Sequence, residues 1–114
     1  MIDFEQVWLP QIVRYAELVS AGKLDDAWLG RASPTTSITD PDELHEQVFD
    51  DLDAEAVWAE NRGACKLTPA AIAAIDSFLG LLRRLDESDA GLLVESDAWA
   101  RTKTAAYEVV KTVR

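Results

Sequence analysis

"LTPAAIAAIDSFLGLLRRL", residues 67–85, decides the fold. Thr68 can cap a helix, Pro69 suits its first position because the missing N–H would go unpaired there anyway, and Leu67 can staple onto Ile72. Beyond that start, Ile72, Ile75, Phe78, Leu79, Leu81, Leu82 and Leu85 spread across nearly half of a helix's circumference. An apolar surface that wide must be covered from more than one side. The spacing therefore predicts the central core helix of an all-α protein.

The flanking segments keep the same period. In residues 3–21, Phe4, Trp8, Ile12, Tyr15 and Val19 recur at steps of three and four and share one face, while Pro10 falls on the opposite one. This predicts a helix that bends at Pro10 or is divided there, with Gly22 as its stop. "KLDDAWLG" reads as a short helix ending at Gly30, followed by the polar loop "RASPTTSIT". "DPDE" is a second helix start: Asp40 can cap, Pro41 suits the first position, and Glu43 can reach back as a capping-box partner. That helix is expected to run to about Leu52, with residues 54–61 either extending it or forming another short helix. A last helix from Asp97 places Trp99, Ala106, Val109, Val110 and Val113 on one side. No segment sustains strand alternation and no internal repeat appears. The expectation is one domain, residues 1–114, folded as an antiparallel helical bundle of four principal helices plus one or two short ones.

Composition narrows the function classes. A chain of 114 residues with 48% hydrophobic content can bury a core without staples, and none is on offer. Cys65 cannot form an internal disulfide, and one Cys with one His cannot complete a zinc site of about four ligands. "MIDFEQVWLP" lacks the basic start and unbroken apolar run of a secretory signal, and no apolar stretch approaches the roughly 18 residues of a membrane span. A soluble, cytoplasmic protein without membrane contact is expected. The net charge of −10 repels phosphate backbones, which argues against direct nucleic-acid binding.

That charge is concentrated. Residues 36–60 hold nine acids and no Lys or Arg, whereas the rest of the chain holds twelve acids against eleven bases. Winding residues 41–53 into a helix puts Leu44, Val48, Phe49 and Leu52 on one face and Asp42, Glu43, Glu46, Asp50 and Asp53 on the other. Like charges three or four residues apart on a helix cost roughly 0.2–0.5 kcal/mol per pair, and no base within the segment offsets them. The helix N-terminus favours Asp42 and Glu43, but its field fades within the first turn and leaves Asp50 and Asp53 unexplained. One source of relief lies elsewhere in the chain. Lys103, Tyr107, Lys111 and Arg114 share a face of the last helix, which could lie alongside the acidic one.

Catalytic chemistry finds little support in the spacing. Glu43 with Glu46 and Asp50 with Asp53 resemble the paired carboxylates that hold magnesium in helical phosphohydrolases, yet no second acidic helix supplies the opposing half. The calcium-loop window from Asp51 has Ala56 where glycine belongs and Arg62 at its last position. The window from Asp86 places Gly91 and Asp97 correctly but puts Ser88 and Ala90 at ligand positions. His45 has no nucleophile or orienting acid at a recognisable spacing, and Cys65 beside Lys66 stands alone. Trp28 and Trp58, on short helices, are candidate exposed anchors for a partner.

These observations converge on a binding module with no cofactor, no metal site and no catalytic residues. Its docking surface would be the face formed by Asp42, Glu43, Glu46, Asp50 and Asp53, and its partner a basic protein. Inhibitory proteins that neutralise basic nucleases, such as bacterial toxin immunity proteins, offer a fold-level analogy only, carried by no motif. Two alternatives stand beside it: a magnesium-dependent hydrolase of a phosphorylated small molecule, and a self-associating structural protein whose acidic and basic faces pair between subunits.

Overall fold

The Thr68 hydroxyl accepts a hydrogen bond from the Ala71 N–H, and the helix it caps, α5, spans Pro69–Arg84. The structure, a computed structural model, describes residues 2–31, 38, 40–86 and 89–113. Ala71, Ile75 and Phe78 of α5 are fully buried, and Ala74, Leu79 and Leu82 nearly so. Each large side chain so buried contributes on the order of 1.5–3 kcal/mol relative to exposure. Ile72, Leu81 and Leu85 are only partly covered and mark the flanks of the apolar stripe. α7, Asp97–Val113, packs against both α5 and α1, Leu9–Ser20, so the helix that the other two long helices share is α7 and not, as the spacing predicted, α5.

The N-terminal helix is continuous, and Pro10 does not divide it. A π-helical turn, Phe4–Trp8, leads directly into α1, with the Trp8 N–H bonded five residues back to the Asp3 carbonyl at 2.9 Å. A proline ring crowds the carbonyl four residues before it, and the wide turn lies where that crowding would fall. The turn also brings Phe4 and Trp8 against Trp58 of α4, Ala54–Asn61, in a three-ring stack with centroids 5.2–6.1 Å apart. Trp8 is fully buried, and its indole N–H has no hydrogen-bond partner among the described residues. An orphan of this kind costs about 1–3 kcal/mol, which the surrounding ring contacts must offset.

Gly22 stops α1 as expected, with φ 74°, and Gly30, φ 71°, follows α2, Lys23–Trp28. These left-handed conformations suit glycine, which has no Cβ to clash. Of the loop at 31–39, residues 32–37 and 39 lie outside the described residues. Asp40 caps α3, Pro41–His45, by accepting from the Glu43 N–H at 2.8 Å. The helix then widens into a second π segment, Glu46–Asp51. It ends at Leu52, and Asp53 adopts a left-handed φ of 49° before α4 begins, so residues 54–61 form a separate helix.

One element escaped the sequence reading. α6, Ala90–Val94, is capped by Asp89, whose carboxylate accepts from the Leu92 N–H at 3.0 Å. It occupies the middle of the calcium-loop window that starts at Asp86. Among the described residues there are thus seven α-helices and no strand, and one buried cluster draws side chains from each helix. Among these helices none is long and apolar enough to cross a membrane.

Candidate functional site

The acidic segment is positioned by what it buries. Leu44, Val48, Phe49 and Leu52 are all in the core, as the period requires. Asp42, Glu46, Asp50 and Asp53 are exposed. Glu43 is half-buried and differs from the other four. Instead of acting as the capping-box partner read from the sequence, its carboxylate accepts from Gln47 Nε2 at 2.9 Å, and Gln47 Oε1 in turn accepts from the Tyr15 hydroxyl at 3.2 Å. Burial first, then the charge of Asp51, pushes the Tyr15 hydroxyl above its ordinary pKa; Arg14 opposes this and Glu43 adds to it. Gln47, held by Glu43, thus links the acidic segment to α1.

No lysine or arginine among the described residues pairs with these carboxylates. The ion pairs there are Arg31 with Asp26, Arg62 with Asp76, Arg83 with Glu55, and Lys103 with Asp25. Among the described residues the relief foreseen from the last helix is not found. Lys103 turns to Asp25 of α2, at 2.9 Å, because α7 packs on α1 and α5 and away from α3. Lys111 is exposed, and Arg114 lies outside the described residues.

Arg83 of α5 comes nearest to the segment without neutralising the five carboxylates. Its guanidinium lies over the Phe49 ring, 5.2 Å from the centroid, and contacts His45 Nε2 at 3.5 Å, while its Nε pairs with Glu55 at 2.9 Å. His45 itself lies tilted against Phe49, ring centroids 4.6 Å apart. The imidazole thus touches both an aromatic ring and a guanidinium, and among the described residues no carboxylate is hydrogen-bonded to it.

The candidate anchors resolve differently from the sequence reading. Trp58 is core, 6% exposed, and donates to Asp76 Oδ1 at 2.7 Å. It is no exposed anchor, because α4 turns its apolar side onto the N-terminal turn. Trp28 is half-buried, donates to the Ile38 carbonyl at 3.2 Å, and lies 5.3 Å from Trp99. Cys65 is half-buried with its Sγ 3.5 Å from the Arg62 carbonyl. Among the described residues, no three His, Cys, Asp or Glu side chains converge as metal ligands.

The sequence reading missed a pocket at the N-terminal end of the acidic face. Trp28, Pro41, Leu44, Leu82, Leu85 and Leu93 give it apolar walls, while Asp42, His45 and Asp86 supply its polar groups. It encloses about 70 Å³, enough for a few water molecules and far less than a drug-sized ligand needs. Its walls come from α2, α3, α5 and α6, so no single stretch of sequence carries its signature. Comparison with protein-family models, curated proteins and solved structures finds no match to this chain.

Proposed function

We propose that the chain is a cytoplasmic protein-binding module, an antiparallel bundle of four principal helices whose acidic face docks a basic protein. The observation that supports this reading is the exposure of Asp42, Glu46, Asp50 and Asp53 without a cationic partner among the described residues. Elsewhere in the molecule Asp25, Asp26, Glu55 and Asp76 each hold a lysine or arginine. Like charges gathered on one exposed segment cost stability locally, and a cationic partner removes that cost on binding. Long-range attraction would speed the encounter and make it sensitive to salt.

The test is capture from extracts of the source cell at low salt, comparing the native chain with Glu46→Gln/Asp50→Asn. A basic protein retained by the native chain, released by rising salt and retained poorly by the variant is the expected result. Equal retention by both would reject the acidic face as the docking surface.

A further inference from the structure

We infer that the pocket beside Asp42 is an anchor socket for one long basic side chain of the docking partner; this rests on the reading of the acidic face as a docking surface. Asp42 belongs to both features. It stands on the exposed acidic face and also lines the pocket, so a chain lying along the face passes the pocket mouth. The interior matches the occupant. Trp28, Leu44, Leu82 and Leu93 offer apolar walls for an aliphatic stem, while Asp42 and Asp86 supply carboxylates for a cationic head. Among the described residues no lysine or arginine lines the cavity, and Arg83, which touches His45, is already paired with Glu55.

The surroundings favour a protein partner over a free amine. Of the large exposed apolar side chains among the described residues, Leu92 lies in α6 beside Leu93, and Leu29 directly follows Trp28 of α2. α2 packs on α6, so these exposed leucines belong to the same pair of helices that supplies Trp28 and Leu93 to the socket. Interfaces of this pattern place a cationic or aromatic anchor in a pocket and surround it with contacts that exclude water.

The experiment titrates the full chain with N-acetyl-lysine methylamide and its arginine counterpart. Uncharged analogues, N-acetyl-norleucine methylamide and N-acetyl-citrulline methylamide, serve as controls, and the readout is the Trp28 indole ¹H–¹⁵N signal with the Glu46 and Asp50 amides. The expected result is a saturable Trp28 shift with at least one basic probe, at least about fivefold weaker with its uncharged analogue. Asp42→Asn/Asp86→Asn should weaken the basic probe about tenfold with the near-ultraviolet dichroism unchanged. Equal response to charged and uncharged probes would overturn the socket. Response at Glu46 and Asp50 with none at Trp28 would also overturn it while leaving the acidic-face reading standing. Silence at all three positions, together with equal retention of partners by Glu46→Gln/Asp50→Asn, would remove both.

Discussion

Asp25 and Lys103, 78 positions apart in the chain, meet at 2.9 Å in the shelter of Trp99. Asp25 is 6% exposed, and its second oxygen accepts the Trp99 indole N–H at 2.8 Å. Removing one partner of a buried, hydrogen-bonded charge leaves the others unsatisfied, although Lys103 is partly exposed and can regain water. Asp25→Ala is expected to cost about 2–4 kcal/mol. Asp25→Asn, which keeps an acceptor for Trp99, is expected to cost about half as much. Urea denaturation of the two variants checks this, and equal losses would remove Trp99 from the account.

Glu46→Gln/Asp50→Asn should leave helicity unchanged and raise stability slightly, by about 0.5–1 kcal/mol, because both carboxylates are exposed and have no cationic partner among the described residues. The gain should shrink as salt screens the repulsion it relieves. A lowered denaturation midpoint would reveal internal pairing and reject the docking face.

Asp53 is the only non-glycine residue with positive φ among those described, and it separates the acidic segment from α4. The left-handed region crowds Cβ against the backbone, and β-branching makes this worse. Asp53→Val is expected to lose about 1–2 kcal/mol, whereas Asp53→Gly should be neutral or mildly stabilising. Thermal melts of the two variants decide it; similar behaviour would mean the conformation carries no strain.

Asp76 sets part of the acid limit. Hydrogen bonds from Arg62 hold its carboxyl below the ordinary value; burial opposes them, and the Trp58 N–H adds to the lowering. A depressed folded-state pKa contributes stability that is present above the unfolded value, roughly 4, and is lost as pH falls through the folded one. Asp76 is partly exposed, so solvent screening keeps the contribution modest. Asp76→Asn should flatten the stability profile below about pH 4 relative to the native chain. An identical acid limb in both would assign acid sensitivity to other carboxylates.

What the sequence made legible was local. Asp40 and Thr68 each cap the helix assigned to them, and the buried set Leu44, Val48, Phe49 and Leu52 follows from spacing alone. The failures arose where tertiary geometry decides. Lys103 was placed by helical face, but its neighbour is Asp25 of α2, a choice fixed by which helices α7 covers. α6 was missed because it is five residues long, contains Gly91, and is marked only by the cap at Asp89. The pocket could not be read at all, since four separated segments build it.

The widened turn at Glu46–Asp51 means the chain there holds one residue more than an α-helical turn needs, since the Leu52 N–H reaches back to Gln47 rather than Val48. Length is therefore negotiable at this point in a way it is not inside α5 or α7, where losing a residue would rotate every following side chain by about 100° out of register. A one-residue deletion within the turn can be absorbed as plain α-helix, which makes this stretch the natural place for shortening. Because Asp42 and His45 precede the turn and Asp53 follows it, a deletion absorbed there leaves the pocket wall in place and rearranges only the carboxylates that the turn itself carries, Glu46 and Asp50 among them. The shape of the acidic face can thus vary independently of the cavity beside it.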